Sequence, residues 1–230
     1  MMLRRLYILF ALLILCSTTS FADGTRDDVE AVYKYRFETD FQIKLMKGLK
    51  LNVGPELRFY DGFDRLLLNA GLTYKRFGCV YFGAAYRMVV ERSESDYKET
   101  ATGDYEYSKG PNLYHRYAFD VTYKERYHRF TPSFRFRYNN YTEDDLVNKN
   151  YLRYRAKVDY DIPKCKLTPA VFVEAFQNLD LGMLYKMRYA AELDLKVGKH
   201  ASMALSYMAD FFCLEYKNAH IFSLGYKQRF

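Results

Sequence analysis

From Glu30 to Leu45 the side chains alternate strictly in character. Odd positions read Ala31, Tyr33, Tyr35, Phe37, Thr39, Phe41, Ile43 and Leu45. Even positions read Glu30, Val32, Lys34, Arg36, Glu38, Asp40, Gln42 and Lys44. A strand sends successive side chains to opposite faces, so this segment has one greasy face and one charged face; a helix would scatter both sets. Ten further rows repeat the pattern, with apolar sets beginning at Leu49, Leu66, Val80, Leu113, Phe130, Leu152, Leu167, Tyr185, Met203 and Phe222. Most are longer than the ~5–6 residues of an ordinary soluble strand and match the ~9–11 needed to cross a bilayer at a tilt.

The connections alternate in length. Short ones fall at 46–48, 78, 125–129, 162–166 and 198–200, and longer ones at 61–65, 92–112, 139–149, 177–183 and 212–218. The short turns are mainly basic (Lys47, Arg76, Arg126, Arg129, Lys164, Lys166, Lys199), while acidic residues prevail in the long ones. Short turns on one rim and long loops on the other describe an up-and-down meander, the plan of transmembrane barrels. Eleven rows are visible, but single-chain bacterial barrels have an even number of strands. The expectation is therefore an all-β, antiparallel up-and-down transmembrane β-barrel of 10–12 strands, with twelve favoured. Either a further strand lies near 23–29 or around Tyr105–Tyr107, or two of the eleven rows are one strand.

The N-terminus reads as a targeting segment. Arg4 and Arg5 precede the apolar run 6–15, and Ser20-Phe21-Ala22 is a small-x-small site followed by Asp23. This is the secretory pattern, with cleavage between Ala22 and Asp23, residues 1–22 as signal and 23–230 as the barrel. A lipoprotein signal would use Cys16, but Leu15 stands where a small residue is wanted. The longest uncharged stretch beyond it, 77–86, is about half the length of a spanning helix. Composition adds little: 18% aromatic residues with 24 Tyr, 18 Phe and no Trp exclude a disordered chain. The net charge is +7, and cleavage removes two of those charges. Cys79, Cys165 and Cys213 lie far apart; an odd number in an exported chain leaves at least one free thiol, and all three read as buried or lipid-facing.

Alternation alone does not say which face looks inward, since a soluble lipocalin-like barrel alternates too. Strand length and connection length favour a membrane barrel with its apolar rows outward. The terminal row Phe222, Leu224, Tyr226 and Phe230 resembles the C-terminal assembly signal of Gram-negative outer-membrane barrels, although Gln228 interrupts it. Pro55-Glu56-Leu57-Arg58, Gly71-Leu72-Thr73-Tyr74-Lys75 and Gly83-Ala84-Ala85-Tyr86-Arg87 resemble a family of small outer-membrane barrels of unknown function from Bacteroidetes-type bacteria. That resemblance implies a fold and an outer-membrane location but no reaction. The implied surroundings are outer-membrane lipid, lipopolysaccharide and the barrel-assembly machinery, with the chain as a monomer. Tyr33, Tyr60, Tyr74, Tyr123, Tyr138, Tyr160 and Tyr185 are placed to anchor it at the headgroup levels.

Outward apolar rows put an excess of Lys and Arg into the lumen. Arg135 and Arg137 on one strand, and Arg153, Arg155 and Lys157 on the next, form a basic strip that Asp159 alone offsets locally. Guanidinium forks suit carboxylate and phosphate, so the strip reads as an anion-attracting wall of a narrow channel. It could also seat a lipid phosphate or another ligand; the plainer reading is a salt-bridged plug, for which neighbouring strands would supply Glu174, Glu192 or Asp120 as partners. An outer-membrane enzyme acting on lipid or peptide would need a converging nucleophile, base and orienter. His200-Ala201-Ser202 has a suggestive spacing but falls in a short turn with no third partner. An exported soluble barrel binding an apolar ligand is the remaining alternative. His115, His128 and His220 have no metal-ligand spacing, and Glu143-Asp144-Asp145 reads as a solvated loop. No metal, cofactor or catalytic set is expected. Nucleic-acid binding is excluded because basic and aromatic residues lie on opposite faces.

Overall fold

The computed structural model describes residues 30–92, 96–99, 105–108, 112–142, 150–213 and 217–230. The signal segment with Ala22 and Asp23, Cys16, and the acidic run Glu143-Asp144-Asp145 lie outside the described residues.

All eleven apolar rows form strands, and their long alternating patterns leave them little else to become. They are β1 (Glu30–Met46), β2 (Leu49–Phe59), β3 (Phe63–Phe77), β4 (Val80–Glu91), β7 (Asn112–Lys124), β8 (Phe130–Tyr141), β9 (Asn150–Tyr160), β10 (Leu167–Asn178), β11 (Met183–Lys196), β12 (Ala201–Phe212) and β13 (Lys217–Arg229). Two short strands, β5 (Asp96–Glu99) and β6 (Tyr105–Ser108), pair only with each other, inside the long connection between β4 and β7. The strand sought around Tyr105–Tyr107 is thus part of a loop hairpin and not of the wall.

The wall closes in the order β1-β13-β12-β11-β10-β9-β8-β7-β4-β3-β2. Every neighbouring pair is antiparallel except the closing one. There β1 and β13 run parallel, from Glu30 beside Lys217 to Gln42 beside Arg229. This corrects the favoured count of twelve: among the described residues the wall has eleven strands. Evenness follows only if all pairs are antiparallel, and one parallel pair closes an odd wall without leaving an edge. Parallel ladders are slightly weaker per residue, but an open edge facing lipid is far costlier. The last residue joins the seam: the Phe230 amide donates to the Gln42 carbonyl at 2.8 Å.

Five connections, 47–48, 78–79, 125–129, 161–166 and 197–200, lie on one rim together with Phe230. The connections at 60–62 and 179–182 lie on the other, where β4, β8 and β12 end at Glu91, Tyr141 and Phe212. Cys79, Cys165 and Cys213 all sit in connections. Cys79 is half-buried and Cys165 and Cys213 are exposed, so none of the three thiols is buried.

The apolar rows point outward. Phe37, Leu72, Phe119, Phe136, Val171, Leu205 and Leu224 are all exposed on the barrel's outer surface. A contiguous apolar exterior of this kind is the signature of a lipid-facing surface. A barrel lined by an apolar ligand cavity would require the reverse orientation of these rows. Phe222, Leu224, Tyr226 and Phe230 stand on this outer face, and the Phe41 and Phe230 rings approach to 6.5 Å across the seam.

One residue lets β1 and β2 approach closely. Regular pairing is interrupted between Glu38–Glu56 and Phe41–Val53, where Pro55 offers no N–H. There a Cβ on Gly54 would lie 1.9 Å from the Thr39 carbonyl oxygen. Gly54→Ala is expected to lower the folded barrel's stability by roughly 2 kcal/mol or more. Gly198→Ala, where an added Cβ meets nothing within 4 Å, is expected to be neutral. The urea midpoints of the two variants check this. The closure has its own test. With Cys79, Cys165 and Cys213 changed to Ser, the double substitution Phe37→Cys and Leu224→Cys, at positions paired in the parallel register, is expected to give an intramolecular disulfide on mild oxidation. Mass analysis under denaturing conditions reads the result.

Candidate functional site: an asymmetric charged lumen

With the apolar rows outside, the even-numbered positions of β1 and their counterparts point inward. Inward side chains divide by strand into two kinds. On β2, β3, β4 and β7 many are small or uncharged: Asn52, Gly54, Gly71, Gly83, Ala85 and Ala118. On β8 to β11 more of them are long and charged or aromatic, Arg135, Arg137, Arg153, Arg155, Phe172 and Phe176 among them. The two halves leave the interior lopsided, with a cavity of about 580 Å³ against the small-residue wall.

The basic strip lies where the alternation places it. Arg135 stands opposite Arg155, and Arg137 opposite Arg153, in the β8–β9 register. Two like-charged cross-strand pairs would repel without acids nearby. The acids come from the neighbouring strands. Glu174 on β10 is fully buried and accepts from Arg135 (3.2 Å), Arg153 (2.9 Å) and Arg155 (3.0 Å). Asp120 on β7 accepts from Arg137 at 2.7 Å. Lys157 is bonded to Glu192 and lies 3.3 Å from Asp159. Two aromatic rings point inward from β10 and carry part of the load. The Arg155 guanidinium lies 4.3 Å from the Phe172 ring centre, and that of Arg153 lies 4.5 Å from Phe176.

The strip is therefore embedded in a network, and the network is unequally matched. One carboxylate serves three guanidiniums at Glu174, an excess of two positive charges held inside the wall. The Nε–H groups of Arg135, Arg153 and Arg155 are buried and find no acceptor in the protein. Arg116 on β7 adds to the same side. It lies 4.2 Å from the Tyr141 ring centre and donates to the Tyr114 hydroxyl at 3.0 Å, with no carboxylate partner among the described residues.

Gly83 shows how the small wall serves the charged one. A Cβ there would lie 2.6 Å from an Asp120 carboxylate oxygen, so the missing side chain is the space Asp120 occupies while it holds Arg137.

A second cluster crosses the interior. Glu56, buried, takes Arg58 at 2.7 Å and Arg36 and Arg87 at 3.1 Å each. Asp210, also buried, is gripped in two-pronged fashion by Arg188 and receives Lys186 at 2.7 Å. Glu56 and Arg87 face the large cavity. Arg36, Arg58, Arg188 and Asp210 face a smaller one of about 130 Å³ toward the long-loop rim. The Glu56 cluster is thus a septum between a wide compartment on the turn side and a narrow one on the loop side. Apolar rows flank it: Phe172, Ala190, Met208 and Ile221 on one side, and Leu67, Val89 and Tyr114 on the other.

The strand patterns already marked Glu56, Arg58 and Arg188 as lumen residues. The apolar row Met203, Leu205, Tyr207 and Phe211 turns Asp210 inward by parity, but nothing marked Phe172 or Phe176. β10 is apolar on both faces, so its pattern does not alternate; fixing Val171, Val173 and Ala175 as outward would have turned Phe172 and Phe176 inward by parity alone. The histidines play minor parts. His200 is exposed in a turn, Ser202 is buried, and among the described residues no hydrogen bond joins them. His115 and His220 share hydrogen bonds of 2.7 Å with the hydroxyls of Tyr86 and Tyr207. Among the described residues no group of His, Cys, Asp and Glu is arranged to hold a metal ion.

Removing one partner of a buried ionic cluster costs ~3–5 kcal/mol, because the other charges stay behind uncompensated. Glu174→Gln is expected to cost that much, since it leaves three guanidiniums facing one another. Arg155→Gln, which leaves Glu174 with two partners, is expected to cost less. Guanidinium chloride unfolding in detergent, followed by the loss of the compact gel band, measures both.

A family model described as a protein of unknown function, DUF2490, matches residues 34–218. No curated protein matches the chain. Among solved structures, the loop L8 deletion mutant of OmpT, an outer membrane protein of Vibrio cholerae, is similar with a TM-score of 0.41 and 11% identity over 73% of this chain and 55% of that one. The β domain of the Bordetella autotransporter BrkA is similar with a TM-score of 0.47 and 12% identity over 81% of this chain and 83% of that one. The chain spans about half the length of the OmpT structure it matches. The family model runs from inside β1 to the start of β13, through nearly the whole wall, and the chain belongs to the DUF2490 family of proteins of unknown function.

Proposed function

We propose that this chain is a non-enzymatic β-barrel of the Gram-negative outer membrane whose lumen is a narrow, basic compartment admitting small anions. The observation that carries the reading is the mismatch on the cavity wall: Arg116, Arg135 and Arg153 line it, and the one carboxylate that serves any of them, Glu174, is shared with Arg155. Outward apolar rows supply the membrane part of the proposal. Bacterial barrels keep short turns in the periplasm and long loops outside, so the wide compartment opens toward the periplasm. Outer-membrane lipid and lipopolysaccharide are the surroundings that the apolar exterior suits. The C-terminal row Phe222, Leu224, Tyr226 and Phe230 suits recognition by the barrel-assembly machinery. A monomer is the simplest assembly, since closure leaves no strand edge to pair with another chain.

The bore is tight. Eleven strands at ~4.8 Å spacing and ~40° tilt give a backbone diameter of ~22 Å, and side chains reach in from all sides. The Glu56 septum favours a second reading, a closed structural barrel, if it never opens. Fractionation and heat-modifiability on a gel test the location: the folded chain is expected in the outer-membrane fraction, running apart from the boiled form. A soluble periplasmic protein would end the membrane reading. Planar bilayers test the lumen. A small conductance is expected whose reversal potential in a KCl gradient shows preference for chloride, and Arg135→Gln is expected to weaken that preference. Electrically silent bilayers containing folded protein would leave the structural reading in place.

A further inference from the structure

The large cavity is charged on two sides, with opposite signs. In the closed strand order β8 is five strands from β1 in one direction and six in the other, so the two stand across the barrel from each other. Arg116, Arg135 and Arg153 line the cavity from β7, β8 and β9. Glu38 and Asp40 line it from β1.

Glu38 is an unusual lumen carboxylate. It points into the barrel and is nevertheless exposed, because the space it meets is the cavity. Gly225, its neighbour on β13, leaves room for it: a Cβ there would lie 3.4 Å from Glu38 Cγ. The nearby guanidiniums of Arg36 and Arg87 are committed to Glu56. Among the described residues Glu38 has neither an ion pair nor a hydrogen bond. Asp40, by contrast, is bridged to Lys227 at 3.0 Å. The opposite wall has hydrogen-bonding capacity to spare. A guanidinium has five N–H donors. Arg135 and Arg153 each give one to Glu174 and Arg116 gives one to the Tyr114 hydroxyl, and among the described residues their remaining terminal N–H groups have no hydrogen-bond acceptor.

An unpaired carboxylate facing guanidiniums that share one carboxylate, across a confined space, selects for a solute carrying both signs of charge. A simple anion meets the arginines but leaves Glu38 unmatched, and a simple cation does the reverse. We propose that the cavity is a binding site for a small zwitterion of the amino-acid or dipeptide class. Its carboxylate would lie against Arg116, Arg135 and Arg153, and its ammonium against Glu38. Size agrees. A backbone diameter of ~22 Å, less the reach of an arginine, a glutamate and two hydrogen bonds, leaves ~5–6 Å between the solute's charged groups. Two extended residues span at most ~7 Å. The proposal rests on the reading that small solutes reach the lumen from the turn side.

The test uses the full chain folded in detergent, with its compact gel band as the folding control. Three matched probes are titrated by saturation-transfer NMR: glycylglycine (zwitterion), N-acetylglycine (anion) and glycinamide (cation). Glycylglycine is expected to bind about tenfold more tightly than either of the others, a difference of ~1.4 kcal/mol. Glu38→Gln, which removes an unpaired charge, is expected to bring glycylglycine down to the level of N-acetylglycine. The wild-type comparison stands even if the variant does not fold. N-acetylglycine binding as tightly as glycylglycine, an unchanged preference in Glu38→Gln, or no glycylglycine binding would each overturn the proposal. Chloride-selective conductance would then still support the anion-admitting lumen. Zwitterion binding with silent bilayers would instead uphold the site and refute the conducting channel.

Discussion

Backbone closure is the constraint on which the rest of this structure depends. A strand in hydrocarbon must have every N–H and C=O paired with a neighbour, since no water stands ready to take them. Eleven strands of alternating pattern satisfy that demand by bringing the first and last together in parallel. An even number would have allowed an all-antiparallel seam. The odd number costs a slightly weaker ladder between β1 and β13 and sends the start of β1 and the chain's last residue to opposite rims. The aromatic contacts along the seam, Tyr35 with Phe222 and Phe41 with Phe230, add packing where the ladder is weaker.

Closure also fixes what happens inside. Once the apolar rows face outward, the charged rows have nowhere else to go, and a bore of this width cannot hydrate every one of them separately. Arginines on adjacent strands therefore share carboxylates. Glu174 and Glu56 each gather three guanidiniums, and Asp210 gathers an arginine and a lysine. Such clusters add little net stability over well-packed apolar groups, because desolvation offsets attraction. Their contribution here is geometric: they hold long side chains in fixed positions around the lumen. Phe172 and Phe176 assist by presenting ring faces to the cations, a contact worth ~0.5–2 kcal/mol.

The cavity follows from an uneven distribution of side-chain volume. Glycine, alanine and asparagine on β2, β3, β4 and β7 leave space that the arginines and phenylalanines of β8 to β11 do not fill. The same small residues give room to the charged side chains beside them, as Gly83 does to Asp120. The shape of the lumen therefore follows from where the small side chains fall.

The sequence by itself determined all eleven wall strands, the alternation of turns and loops, and the sorting of side chains between faces. Those properties are local: a period of two and a turn residue can be read wherever they occur. It also determined that Arg135, Arg137, Arg153, Arg155 and Lys157 share one face, and it offered Glu174, Glu192 and Asp120 as partners. Which arginine meets which acid was decided only by register between strands. Register is a property of pairs, and nothing in one strand's pattern carries it. The same holds for the closing pair, for the separation of the Glu56 septum from the Glu174 cluster, and for Glu38 standing across the barrel from Arg135. Strands distant along the chain become neighbours or opposites only when the wall closes, and a linear pattern of side chains contains no record of that.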